Sequence, residues 1–327
     1  MARTSFNALK PRLQKYTASA PGSLFLFGEH AVLQNKRAIV LAVDKRITVM
    51  LEPRVDQLIN ISSPLGELKS SIKALKIEKP FQFVLTAIQR FKEQLESGFD
   101  LFIHSDFSSE VGFGSSAAVT VATVAVLEKL TRDIEITNID LLRLFETAKS
   151  IIQEVQGVGS GADVAASVYG GVMVYQQVAP YVLKQYSTLL PFVVAYSGYK
   201  TPTPEVVRKV EKARQQYPMI FESLYKAMDQ IVLQASTLIE QEDWSELGKL
   251  MDIQQGIMSA LGVSTPSLNN LIDILKKAEK IHGAKISGSG LGDCIIGIGE
   301  LSTSNLSPEL YAARISVAGT LQGIAYE

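Results

Sequence analysis

Apolar and polar positions along this chain fall into blocks whose period changes several times. Ser23–Phe27, Ala38–Val43 and Ile47–Leu51 are short apolar or β-branched runs, which predict strands. From Pro80 to Leu95 the period lengthens: Phe81, Val84, Leu85, Ile88, Phe91 and Leu95 recur at helical spacing. Asp100–His104 reads as a strand running toward Val111–Ala118, a stretch rich in glycine and serine. Ser116–Leu130 then predicts a helix that is apolar on most faces and therefore buried. Asp140–Glu154 predicts a one-sided helix with Leu141, Leu144, Phe145, Ala148 and Ile152 inward. Gln156–Asp163 is a second glycine-rich loop, followed by small residues and the strand Val172–Gln176.

The second half is different in character. After a strand at Phe192–Tyr196, the chain from Pro204 to Leu261 is mostly helical. Its segments are Glu205–Gln216, Phe221–Gln241 and Trp244–Leu261, separated by Pro218 and by Glu242-Asp243. Pro266 suits the first turn of a further helix, Ser267–Ile281. Ala284–Ile286 and Cys294–Ile298 predict strands around a third glycine-rich loop, and Leu310–Val317 a last helix. There is no internal repeat and no low-complexity linker. The expectation is an α+β chain of two domains, 1–185 and 186–327.

A length of 327 residues suits about two domains. Thirty-two basic against thirty-three acidic residues leave a net charge of −1, which argues against an electrostatic nucleic-acid binder. No apolar run reaches the roughly 18–20 residues of a membrane helix. The single cysteine, Cys294, excludes an intramolecular disulfide and a cysteine-based zinc cage, and three histidines make a His-rich metal site unexpected. These features predict a cytoplasmic protein whose partner is neither nucleic acid nor membrane. Met1–Thr17 carries Arg3, Lys10, Arg12 and Lys15 and no acid, yet lacks the apolar core of a secretory signal. It is expected to be a solvated end.

The candidate chemistry starts at Val111-Gly112-Phe113-Gly114-Ser115-Ser116-Ala117-Ala118. A helix begins with unpaired N–H groups and a partial positive charge, which suit a phosphate. Glycine lets the backbone approach the anion, and Ser115 or Ser116 can add a hydroxyl to a phosphate or a magnesium ion. A Gly/Ser turn also suits a plain helix cap. The weight therefore comes from the other glycine-rich segments, Pro21–His30, Gly157–Asp163 and Ser287–Asp293. Several loops converging on one triphosphate supply many N–H donors. None matches G-x-x-x-x-G-K-S/T, nor G-x-G-x-x-G after a strand.

Taken together, order and spacing resemble the GHMP kinase superfamily. Ala20-Pro21-Gly22 with Gly28-Glu29-His30-Ala31-Val32 is similar to its first motif. Gly112–Ala118 is similar to its second, and Lys285-Ile286-Ser287-Gly288-Ser289-Gly290 to its third. The resemblance implies a two-domain α+β fold, with an N-terminal domain like ribosomal protein S5 domain 2 and a ferredoxin-like C-terminal domain. It implies transfer of the ATP γ-phosphoryl group to a small-molecule hydroxyl, with Mg2+. Carried over by position, Gly112, Gly114, Ser115, Ser116 and Ala117 wrap the ATP phosphates, and Asp163 is the catalytic carboxylate. Glu29, His30, Gly288 and Ser289 lie near the acceptor, and Ser116 and Glu154 contact the metal. A homodimer is compatible with the resemblance.

Within the superfamily, Gly28–Val32 resembles mevalonate kinases, whereas Gly159–Ala166 and Ser197–Thr203 are closer to phosphomevalonate kinases. Mevalonate is thus the first expectation for the acceptor and phosphomevalonate the second, with a non-catalytic metabolite-binding homologue as the rival from another class. The chain departs from the pattern at four places. Ser23 stands where a lysine is usual, so either a nearby cation (Lys36, Arg37 or Lys200) supplies the charge or Asp163 works alone. Ser108-Ser109-Glu110 replaces a glycine-containing approach, Glu154 lies about two residues from the usual spacing, and Leu291 and Asp293 stand where glycines are common.

Overall fold

The computed structural model describes residues 14–132, 140–301 and 307–326. The basic N-terminal stretch, up to residue 13, lies outside the described residues. The strands are β1 (Tyr16–Phe27), β2 (Ala38–Pro53), β3 (Leu58–Ser63), β4 (Gly66–Ser71), β5 (Phe99–Ser105), β6 (Val172–Tyr175), β7 (Val182–Tyr186), β8 (Phe192–Tyr196), β9 (Ile281–Ser287), β10 (Cys294–Gly299), β11 (Arg314–Ile315) and β12 (Ala325–Tyr326). The helices are α1 (Gln82–Phe91), α2 (Ser115–Arg132), α3 (Leu141–Gln156), α4 (Ala162–Tyr169), α5 (Thr203–Gln216), α6 (Pro218–Gln241), α7 (Trp244–Ala260), α8 (Pro266–Lys276) and α9 (Pro308–Ala313).

Two sheets organise the chain. The first runs β12-β1-β2-β5-β3-β4, and β6 and β7 extend it from the other half of β2. The second runs β11-β8-β10-β9, all antiparallel. In chain order the second sheet is strand, helices, two strands, helix, strand, with spatial order 4-1-3-2, which is the ferredoxin-like arrangement.

The long apolar run in β2 exists because both faces of that strand are covered. Side chains alternate along a strand. Ala38, Val40 and Ala42 pack into the core formed with α1–α4. Ile39, Leu41 and Val43 pack into the core formed with the C-terminal helices and the second sheet. Strand β1 also serves both cores, Ala18 and Ala20 to one side and Leu24 and Leu26 to the other, because the bulge between Pro21 and Ser23 shifts its alternation. This doubly covered pair carries the first sheet between two helical layers.

Several elements differ from the sequence expectation, for local reasons. The runs Ala38–Val43 and Ile47–Leu51 are one strand, not two. Strand β6 pairs residues 38–41 of β2 and β5 pairs residues 47–53. The polar triplet Asp44-Lys45-Arg46 falls in the gap and binds the returning C-terminal segment. There the Asp44 N–H donates to the Ala318 carbonyl (2.8 Å) and Arg46 Nη2 to that of Gly323 (2.7 Å). Strand β1 begins at Tyr16, so Pro21 and Gly22 lie in a bulged strand rather than a loop. The hairpin β3–β4 is an edge element whose buried residues in β3 are Ile59 and Ile61, too few to stand out in the pattern. Strand β7, also unforeseen, buries only Tyr186. Helix α8 stops at Lys276 and Ile281 already belongs to β9. The last helix ends at Ala313, because Arg314 and Ile315 pair with β8.

Leu41 is 1% exposed at the centre of the shared strand. Leu41→Ala is expected to lower stability by about 2–5 kcal/mol, read as a shifted denaturant midpoint at unchanged slope; a shift below that range would mean that the two layers are not locked through β2.

Candidate functional site

The glycine-rich segments meet in one crevice. Its walls include Ser23, Glu29 and His30 from the segment Pro21–His30, Gly112 and Gly114–Ala117 from Val111–Ala118, Gly159–Gly161 and Asp163 from Gly157–Asp163, and Ser287–Ser289 and Asp293 from Ser287–Asp293. Of the predicted site residues, only Glu154 lies outside these walls.

The phosphate-type loop is built as its sequence requires. Gly114 has φ +63°, a left-handed conformation that side chains disfavour. Gly112 has no room for a side chain: a Cβ there would stand 1.8 Å from Asp293 Oδ1. Helix α2 opens at Ser115, and the first helical bond is made by the Ala118 N–H to the Gly114 carbonyl (3.0 Å). The N–H groups of Ser115, Ser116 and Ala117 precede that bond and have no partner within the helix, at a place where all three residues line the crevice.

Asp163 sits in the first turn of α4 but does not cap it; the N-cap is Gly161. Its Oδ1 accepts instead from Ser23 Oγ (2.9 Å), across 140 residues of sequence. Burial pushes the Asp163 carboxyl above the usual range, and the Ser23 hydroxyl and the Lys200 ammonium pull it back. A carboxylate so placed is held ionisable and basic enough to take a proton.

The first and third motifs are stitched together from their backbones outward. Ser287 Oγ accepts from the Phe25 N–H (3.1 Å) and donates to the Phe25 carbonyl (3.0 Å). His30 Nε2 bonds the Ser289 carbonyl (2.8 Å). Burial lowers the His30 pKa, which favours the neutral ring donating that proton. Beneath them Lys285, fully buried, donates to Glu29, 2% exposed, and Gln254 Nε2 of α7 donates to the second Glu29 oxygen (2.9 Å). Both Glu29 oxygens are therefore engaged by protein groups. Glu29 holds the wall rather than reaching outward.

Lys285 and Gln254 were not singled out for any role in the sequence. The available signal was a charge, Lys285, inside an otherwise apolar strand, facing an acid in another motif. Asp293, noted only as a departure from glycine, packs against Gly112 and lies 3.8 Å from Lys200 Nζ. It adopts φ 75°.

Two further cavities adjoin the loop. One is lined by Glu154, Ser115, Ser116, Gln156 and Lys200. The other is more apolar, with Phe81, Phe83, Ile103 and Phe107 beside Ser115 and Ser116. Glu154 is half exposed and accepts from Arg90 (2.7 Å). Of the three cations weighed as substitutes for lysine at position 23, Lys36 pairs with Glu222 and Arg37 with Asp229, while Lys200 lines the crevice. Glu110 is exposed and stays off its walls.

Comparison with known proteins decides the family. A model of the GHMP kinases N terminal domain matches residues 82–171, and one of the GHMP kinases C terminal matches residues 235–306. A mevalonate kinase of Thermococcus gammatolerans is 32% identical over 325 residues, covering 92% of this chain and 93% of the relative. The chain belongs to the GHMP kinases. A mevalonate kinase of Archaeoglobus fulgidus is 33% identical over 282 residues, covering 86% of this GHMP kinase and 91% of the relative. The crystal structure of the Methanococcus jannaschii mevalonate kinase superposes with a TM-score of 0.73 at 23% identity, over 92% of this chain and 94% of the other, and shares the two-domain fold.

Removing one partner of a buried ion pair leaves an uncompensated charge, at a cost of about 3–5 kcal/mol. Lys285→Met is expected to lose stability in that range, and Lys285→Met with Glu29→Leu to lose less than the single change. Chemical denaturation of both variants reads the difference; a neutral single variant would remove the pair from the structural account.

Proposed function

We infer that this chain is a cytoplasmic small-molecule kinase that transfers the γ-phosphoryl group of ATP to a hydroxyl of mevalonate, giving 5-phosphomevalonate. The observation that carries the reading is the meeting, in one crevice, of Asp163 and the unpaired N–H groups opening α2, with Asp163 packed beside Gly114. The mevalonate kinases among the relatives support the choice of acceptor.

In this reading Gly112, Gly114, Ser115, Ser116 and Ala117 wrap the ATP phosphates, which need many donors and no intruding side chain. The apolar cavity beside Phe81 and Phe107 suits the base. The acceptor hydroxyl lies against Asp163, with His30, Gly288 and Ser289 shaping its pocket. Its oxygen attacks the γ-phosphorus, the bond to the bridging oxygen breaks, ADP keeps that oxygen, and Asp163 takes the hydroxyl proton.

Magnesium usually keeps waters and phosphate oxygens and takes only one or two protein ligands. The donors here are of that hard-oxygen kind. The described residues hold no cluster of three acidic, histidine or cysteine side chains, and Ser116 and Glu154 line one cavity. Ser116 and Glu154 would hold the ion, Glu154 at the expense of its pair with Arg90. When bound, the ion supplies charge neutralisation on the phosphates.

The supply of cations favours mevalonate over phosphomevalonate. A phosphorylated acceptor needs an additional basic cluster. Of the three candidates for one, Lys200 alone lines the crevice; Arg208 donates to the Pro204 carbonyl of its own helix and Lys209 to that of Gly262, and neither lines it.

A coupled ADP-release assay across mevalonate, phosphomevalonate, homoserine and galactose is expected to respond to mevalonate. ATP binding with no turnover on any of them would establish the binding-protein reading instead. Asp163→Asn should keep ATP binding and lower turnover at least about a hundredfold; a variant with most of its activity would displace Asp163 from the chemistry. Ser116→Ala should raise the magnesium concentration needed for half-maximal rate, and an unchanged titration would remove Ser116 from the metal's surroundings.

A further inference from the structure

Transferring a phosphoryl group concentrates negative charge on its oxygens, and Asp163 adds another. The partner hydrogen-bonded to Asp163, Ser23, is a neutral hydroxyl. Helix-end amides and a bound metal offset part of this charge. Among the described residues lining the crevice, Lys200 is the one lysine or arginine. It also lines the adjoining cavity beside Ser115 and Ser116, where the other cation, Lys79, does not line the crevice that holds Asp163.

Lys200 is placed by the third motif. The Asp293 N–H donates to the Tyr199 carbonyl (2.7 Å), the Ser197 N–H to the Asp293 carbonyl (3.0 Å), and Thr201 Oγ1 to the Leu291 carbonyl (2.5 Å). These three bonds strap residues 197–201 to residues 291–293, on both sides of Lys200. They give a reason for the left-handed Leu291 and Asp293 (φ 56° and 75°), conformations that side chains disfavour and that persist where the surroundings enforce them.

The ammonium itself is not locked. Its distance to Asp293 Oδ2, 3.8 Å, is too long for a hydrogen bond, so its donors remain available to a ligand. Asp293 Oδ1 is buried with no hydrogen-bond partner among the described residues. Lys200 thus shares the crevice with two acids, Asp293 at 3.8 Å and Asp163. Its charge reaches both, lowering the pKa of each against the upward push of burial.

We propose that Lys200 is the catalytic cation of this kinase: its ammonium contacts the transferred phosphoryl oxygens and offsets their charge, a task that Ser23 cannot perform. Asp293 is its positioning residue. The inference rests on the reading of the crevice as a phosphoryl-transfer site. In the step, the acceptor oxygen bonds to phosphorus, the bond to the ADP oxygen breaks, the proton passes to Asp163, and Lys200 offsets charge without gaining or losing a proton.

The test compares Lys200→Met, Lys200→Arg and Asp163→Asn in the full chain, with ATP, magnesium and mevalonate. Removing one charge-stabilising group from such a site costs about a hundred- to a thousandfold in kcat. Lys200→Met is expected to show that loss in kcat, with the KM for ATP moved less than about threefold and the melting temperature unchanged. Lys200→Arg should recover at least about tenfold over Lys200→Met, because it keeps the charge. Should the methionine variant misfold, Lys200→Gln takes its place. A kcat within about threefold of the parent, a loss confined to KM, or an arginine variant no better than methionine would overturn the inference. If Asp163→Asn is inactive while Lys200→Met is active, only the lysine assignment falls. If Asp163→Asn retains the parent rate, the reading of the whole site falls.

Discussion

A buried ammonium must be paired, and the pairing of Lys285 with Glu29 is the constraint on which the crevice depends. Lys285 belongs to β9 of the second sheet and Glu29 to the turn after β1 of the first. Neither charge has water to fall back on, so the two sheets can approach only in the register that brings them together. Gln254 closes the remaining oxygen of Glu29 from α7. Once that register is set, Ser287 meets the backbone of Phe25 and His30 meets Ser289, and the seam between the sheets becomes a wall. The crevice is the space that the wall leaves open toward α2 and α4.

The same seam explains how groups far apart in sequence become neighbours. Strand β1 delivers Ser23 to Asp163, and its N–H donates to the Phe113 carbonyl inside the Gly-Ser loop (3.0 Å). One strand thus touches the loop that opens α2, the acid of α4 and the third motif. Burial works in two directions here. It makes Glu29 and Lys285 structural, because each is held by protein partners, and it leaves Asp163 poised, because the Ser23 hydroxyl satisfies it only in part. The crevice is a polar site inside an apolar frame, and the frame is what gives each polar group its strength.

Much of this was legible in the sequence. The glycine pattern of 112–118 needs its residue types for reasons visible without coordinates, and its order relative to Asp163 and Ser287–Ser289 identified the superfamily. The buried helix α2 and the helical stretch α5–α7 followed from period alone. What was not legible depended on partners distant in the chain. The triplet Asp44–Arg46 looks like a turn until the C-terminal segment that it binds is in place. The hairpin β3–β4 and the strand β7 bury too few residues to leave a pattern. Lys285 sits between Ala284 and Ile286 like any strand residue, and only the fold shows why a charge is there. Lys200 was one of three open choices, and the other two are occupied by Glu222 and Asp229.

The central claim is that one carboxylate and one helix N-terminus, brought together by the seam, flank the atom being transferred. The most direct measurement is a crystal structure with mevalonate and a non-hydrolysable ATP analogue bound together. The account predicts the acceptor hydroxyl within hydrogen-bond distance of Asp163, in line with a terminal phosphate cradled by residues 112–117. An acceptor bound with its hydroxyl turned away from Asp163, or a nucleotide whose terminal phosphate lies outside this crevice, would contradict it.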